Sequence, residues 1–132
     1  MPDPRGSRER VVVIAEDDEP IAVLLRDAIS DEPGYQALVV SDGAKVLDAV
    51  RKERADLLIL DIMMPRLSGF EIFDRLRAEP AGRPMPVLFI SAAVGHYESE
   101  FRAREITDVI AKPFDLNDLL DRVHQLCPPP GD

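Results

Sequence analysis

Five short stretches of this chain are apolar almost without interruption, and that continuity restricts the fold more than any other feature of the sequence. They are 10–15 (RVVVIA), 35–40 (YQALVV), 56–60 (DLLIL), 86–90 (PVLFI) and 108–111 (DVIA). A strand with one wet face alternates apolar and polar residues. A strand buried on both faces does not, and such strands belong to parallel sheets covered by helices on either side. Between the runs lie segments with helical spacing. Ile21, Leu24, Leu25, Ala28 and Ile29 share one helical face. Ser68 reads as an N-cap ahead of Phe70, Ile72, Phe73 and Leu76, with Pro80 as the stop. Asp115 followed by Asp118 resembles a capping box ahead of Leu116, Leu119, Leu120, Val123 and Leu126. Residues 44–52 give a shorter helix. The helix within 92–105 starts late, near Tyr97, because Gly95 and His96 interrupt its beginning. Five strand–helix repeats with right-handed crossovers predict a doubly wound α/β fold.

The length, 132 residues, suits one domain. Residues 1–9 read as a loose polar tail, 10–127 as the folded domain, and 128–132 as a proline-rich tail or the stub of a linker. Sixteen basic residues against 25 acidic ones leave a net charge of −9. Such a surface repels phosphate backbones and anionic membranes, so nucleic acid and lipid are not expected as direct partners, whereas divalent cations are allowed. Cys127 is the only cysteine and forms no internal disulfide. The apolar runs are far below the roughly 18 residues of a membrane span, and the N-terminus lacks the pattern of a secretory signal, so a cytoplasmic location is expected.

The polar residues fall where the strands end. The first strand runs into Glu16, Asp17, Asp18 and Glu19, the third into Asp61, the fourth into Ser91 and the fifth into Lys112. In an open parallel sheet the C-terminal ends of the strands share one edge, and ligands bind there where the strand order reverses. With the order 2-1-3-4-5, the first and third strands are neighbours. Glu16, Asp17 and Asp61 then converge, with Ser91 and Lys112 on the other side. Carboxylates held this close stay ionised together only beside a compensating cation, and Mg²⁺ is the ion that hard oxygen ligands suit. Asp61 is the candidate nucleophile for a phosphoryl group, Lys112 the counter-charge and Ser91 a hydroxyl donor. Asp18 and Glu19 read instead as caps of the first helix, with Pro20 in its first turn.

Four segments carry a family resemblance: Glu16-Asp17 after VVVIA, the stretch from Asp61 to Gly69 (DIMMPRLSG), Ser91-Ala92 after VLFI, and Lys112-Pro113-Phe114. Together, over about residues 10–126, they resemble the receiver domain of two-component response regulators. The resemblance implies a (βα)5 flavodoxin-like sandwich and Asp61 as phosphoacceptor. It implies Mg²⁺ held by Asp17, Asp61 and the Met63 backbone carbonyl, with Glu16 acting through water. Ser91 and Lys112 contact the phosphoryl group, and the Lys112–Pro113 peptide is cis. The implied partners are a sensor histidine kinase or phosphotransfer protein and a downstream protein bound through the face of the fourth helix, fifth strand and fifth helix. Such a domain assists its own phosphorylation and hydrolysis without turning over a separate substrate, so it is not an ordinary enzyme. The chain reads as a stand-alone regulator in preference to a fragment of a larger one.

The sequence also departs from the family pattern. Ser91 and Val109 stand at the switch positions, but receivers often carry Tyr or Phe where Val109 lies. With no ring to swing, a switch here uses Ser91 and the fourth helix differently. Glu105 stands where glycine is common. Met63 and Ala93 hold positions that tune phosphate loss in the family. Two other functions compete. One is a phosphorylation-independent interaction module, a degenerate receiver, which Val109 keeps open. The other is an aspartate-nucleophile phosphatase of the haloacid-dehalogenase type, which requires a second acid where this chain has Met63.

Overall fold

The computed structural model describes residues 8–79 and 85–131. The expected tail over 1–9 therefore falls mostly outside the described residues, as does Pro80. The element order is β1 (Arg10–Ala15), α1 (Glu19–Ser30), β2 (Tyr35–Val40), α2 (Gly43–Lys52), β3 (Leu57–Asp61), α3 (Gly69–Ala78), β4 (Val87–Ser91), a 3-10 turn η1 (Val94–Tyr97), α4 (Glu98–Ala103), β5 (Val109–Ala111) and α5 (Leu116–Leu126). The strands form one sheet, all pairs parallel, in the order β2-β1-β3-β4-β5. This is the doubly wound (βα)5 arrangement that the unbroken apolar runs predict.

The reason for those runs is visible in the two cores. Val13, Ala15, Leu58, Leu60 and Phe89 point to one face, where they meet Val46 and Val50 of α2, Ile72 and Phe73 of α3 and Phe101 of α4. Val12, Ile14, Leu57, Ile59, Leu88 and Ile90 point to the other, against Leu25 and Ile29 of α1 and Leu119 and Val123 of α5. Successive residues of a strand face opposite sides, so both parities must be apolar when both sides are covered.

The helix starts follow their capping residues. Asp18 accepts from the Ile21 amide at 3.3 Å, with Pro20 in the first turn of α1. Asp42 caps α2 through the Ala44 amide at 2.9 Å, which brings Gly43 into the helix. Ser68 and Glu71 form a full reciprocal capping box at α3. At α5 the Asp115 carboxylate accepts from the Asn117 and Asp118 amides, the forward half of such a box. The late start expected in 92–105 appears as η1 followed by a six-residue α4.

Three strands start one residue later than their apolar runs, while the third and fourth end where the sequence places them, at Asp61 and Ser91. β3 and β4 extend to Asp61 and Ser91, because the backbone pairing continues after the apolar side chains stop: Asp61 pairs with Ile90 and Ser91 with Ala111. Asp56, Pro86 and Asp108 precede the ladders instead of opening them. Asp56 binds the β1 end through its side chain, accepting from the Val11 amide at 2.8 Å.

Glu105 lies between α4 and β5 with φ +56°, in the left-handed region. Its amide donates to the Arg102 carbonyl at 3.1 Å and its side chain is exposed. A Cβ in that region costs roughly 1–2 kcal/mol, and glycine avoids the clash at about 0.4–1 kcal/mol of unfolded-state entropy. Glu105→Gly is expected to stabilise the fold by about 0.5–1 kcal/mol, read from urea denaturation midpoints. Loss of stability in that variant would contradict this account of the turn.

Candidate functional site

Four strand ends deliver the site. Glu16 follows β1 directly and is 1% exposed, while Asp17 beside it is exposed. Asp61 ends β3 and is buried, as is Ser91 at the end of β4. Lys112 follows β5, and its amide donates to the Ser91 carbonyl at 2.8 Å, which extends the β4–β5 pairing to the rim. One carboxylate oxygen from each of Glu16, Asp17 and Asp61 can be chosen so that the three lie within 4.8 Å of one another. The Lys112 ammonium donates to Glu16 Oε1 at 2.7 Å and to Asp61 Oδ2 at 2.9 Å. The other oxygens are held by backbone amides: Asp18 N–H to Glu16 Oε2 and Met63 N–H to Asp61 Oδ1, each at 3.2 Å. The Lys112–Pro113 peptide is cis.

The loop after Asp61 is pinned at both flanks by glycines whose missing Cβ leaves room for backbone. At Gly69 a Cβ would lie 2.6 Å from the Asp61 carbonyl oxygen and 2.8 Å from Ile62 Cα, and the Gly69 amide donates to the Ile62 carbonyl at 2.8 Å. At Gly43 a Cβ would run into the Leu67 carbonyl, and the Gly43 amide donates to the Pro65 carbonyl at 3.2 Å. Buried Ile62, Met64 and Leu67 anchor the loop from inside, and Met63 is left 67% exposed. In the sequence Gly69 stands out only as the end of the Asp61–Gly69 stretch, and Gly43 does not stand out at all. The available signal was a glycine at the first helical position, directly after a capping Ser or Asp.

Glu16, Asp17, Asp61 and Lys112 thus come together as the sequence predicts, and Ser91 is tied to Lys112 through the backbone. Ser91 Oγ accepts from the Ala93 amide at 3.1 Å. Val109 is not part of the cluster. It pairs with Phe89 within the sheet and packs against the core formed with α2, α3 and α4.

The cluster carries three carboxylates and one ammonium. Burial, then hydrogen bonding to Asp61, push the Glu16 carboxyl up to about 7, although Lys112 pulls it the other way. Burial disfavours the Lys112 charge, but its bonds to Glu16 and Asp61 prevail and hold its pKa above the usual lysine value. A partly buried set of hard oxygen donors with excess negative charge fits Mg²⁺.

The response regulator receiver domain family matches residues 12–124. The chain belongs to this family. Among curated relatives it is 34% identical to the response regulator MprA of Mycobacterium avium over 117 residues, covering 87% of this chain and 50% of that protein. The chain spans about half the length of the curated relatives it matches. Among solved structures, the receiver domain of the Francisella response regulator 1452 shares 28% identity with a TM-score of 0.77, over 89% of this chain and 96% of that one. The receiver domain of a sensor histidine kinase from Pseudomonas aeruginosa, with a magnesium ion coordinated in its active site cleft, has the same fold at 23% identity, TM-score 0.76, over 90% of this chain and 98% of that one.

The Glu16 shift makes a prediction about stability without a divalent ion. The folded chain keeps the Glu16 proton to about pH 7, whereas a free glutamate releases it near 4.5. Folding therefore takes up a proton between these values. The contribution of this group is full below about pH 4.5 and is lost as pH rises through about 7. Thermal melts in EDTA across that range are expected to show this loss in the wild type and not in Glu16→Gln. Parallel pH profiles for the two proteins would contradict it.

Proposed function

We propose that this chain accepts a phosphoryl group on Asp61 from a phosphohistidine donor, either a sensor histidine kinase or a phosphotransfer protein. The observation that carries the proposal is the contact of one ammonium, Lys112, with both Asp61 and Glu16 inside a cluster of three carboxylates. An Asp61 oxygen forms the new bond to phosphorus as the phosphorus–nitrogen bond of the donor breaks. The electron pair leaves on the imidazole, which takes a proton from solvent. Phosphoryl transfer requires in-line positioning and charge stabilisation more than covalent help from side chains.

Each residue then has one task. The Met63 amide fixes the orientation of the Asp61 carboxylate. Lys112, freed from one carboxylate oxygen, supplies positive charge to the phosphoryl oxygens. Ser91 turns its hydroxyl hydrogen to another of them. Asp17, Asp61 and the Met63 carbonyl would hold Mg²⁺, with Glu16 reaching it through water. Bound Mg²⁺ would neutralise charge on the phosphoryl group during transfer. This reading makes the domain a switch that assists its own phosphorylation and hydrolysis. It works in the cytoplasm, and its downstream protein partner meets the face of α4, β5 and α5, where β5 is an edge strand. No helix among the described residues is long and apolar enough to cross a membrane. The net charge of −9 directs the domain's own surface to proteins and cations and away from nucleic acid.

Acetyl phosphate with Mg²⁺ is expected to add the mass of one phosphoryl group to the wild type and none to Asp61→Asn. Lys112→Ala is expected to slow the reaction by about 100-fold or more, the scale for losing one charged stabiliser. A wild-type chain that gains no mass under these conditions would favour a phosphorylation-independent interaction module.

A further inference from the structure

The site has a mechanical connection to α4 that does not pass through Val109. Ser91 Oγ accepts from the Ala93 amide at 3.1 Å, and Ala93 is the residue that opens η1, with its carbonyl accepting from the His96 amide at 3.0 Å. η1 has no side-chain cap and no buried residue. Its last residue, Tyr97, is half-buried and also opens α4. The Tyr97 ring meets Phe70 edge-on, with centroids 5.6 Å apart. Phe70 adjoins Gly69, whose amide holds the Ile62 carbonyl next to Asp61. Tyr97 therefore joins the Ser91 side of the rim to the Asp61 side.

The two ends of this assembly are fastened unequally. At the far end of α4, Arg104 grips Asp74 of α3 at 2.8 and 3.0 Å, bonds Glu100, and lies over the Phe70 ring at 4.7 Å. Phe101 is buried against Phe70 and Phe89. At the near end, η1 is held by the Ser91–Ala93 bond and by half-buried Val94 and Tyr97 against the core, with no side-chain cap or ion pair of its own among the described residues, and it lies alongside β5.

We propose that Tyr97 is the residue that relays the state of Asp61 to the α4–β5 surface in this chain. The inference rests on the phosphoacceptor reading of Asp61. A phosphoryl oxygen on Asp61 recruits the Ser91 hydroxyl, and rotation of Oγ towards it releases the Ala93 amide. The uncapped η1 then re-forms about the fixed far end of α4. Its half-buried ring shifts on Phe70 and changes the surface next to β5.

The chain has two tyrosines, which makes the test direct. Tyr35 opens β2 at the opposite edge of the sheet, where its hydroxyl donates to the Cys127 carbonyl, and serves as an internal control. Ring-labelled tyrosine is followed by NMR before and after acetyl phosphate and Mg²⁺, with phosphorylation scored independently by intact mass. Tyr97 ring signals are expected to shift and those of Tyr35 to stay. Tyr97→Ala is expected to gain the phosphoryl mass like the wild type yet lose most of the amide shifts over residues 98–111. Tyr97→Phe, which keeps the packed ring, is expected to retain them. Unmoved Tyr97 signals in fully phosphorylated protein, or wild-type amide shifts in Tyr97→Ala, would overturn the relay while leaving Asp61 as acceptor. A chain that gains no phosphoryl mass would overturn both.

Discussion

Three carboxylates and one ammonium meet at the C-terminal edge of the sheet, and the Lys112 bridge to Glu16 and Asp61 is what makes that meeting tolerable. Like charges so close in a partly buried setting repel strongly, and buried Glu16 is driven towards its neutral form. Lys112 offsets part of that repulsion by bonding both buried acids at once. The excess negative charge that remains is the chemical demand for a cation.

The scaffold explains how residues 96 and 51 positions apart in sequence reach one contact. Parallel strands all end at the same edge, and the order β2-β1-β3-β4-β5 puts the ends of β1 and β3 side by side. Two cores, one on each sheet face, keep the strands from sliding, because a one-residue slip would turn each apolar set to the wrong side. The loop carrying Met63 is closed onto this frame by the two glycines that begin α2 and α3. That closely packed loop contrasts with η1, which has no side-chain cap.

Much of this was legible in the sequence. β1 and β2 match their apolar runs residue for residue, although of the two only β1 is buried on both faces and the edge strand β2 is largely half-buried after Tyr35. β3 and β4 end at Asp61 and Ser91, where the sequence ends them, and only their starts lie one residue later than the apolar runs, because Asp56 and Pro86 precede the ladders. The acids and Lys112 were legible as a cluster because topology alone brings strand ends together. Their pairing was not. Which oxygen Lys112 bonds depends on side-chain packing that no spacing encodes. Nor does spacing show that Glu105 takes a left-handed backbone, or that Tyr97 packs on Phe70 from a turn of four residues.

The central claim is chemical: the carboxylate of Asp61, and no other side chain, takes the phosphoryl group. Borohydride reduces an aspartyl phosphate to homoserine, whereas phosphoserine and phosphohistidine do not give that product. Treating the phosphorylated chain with borohydride and mapping its peptides by mass is predicted to place homoserine at position 61 and aspartate at every other aspartyl position. Homoserine at Asp17 or Asp18, or phosphate found on Ser91, His96 or His124, would contradict the account.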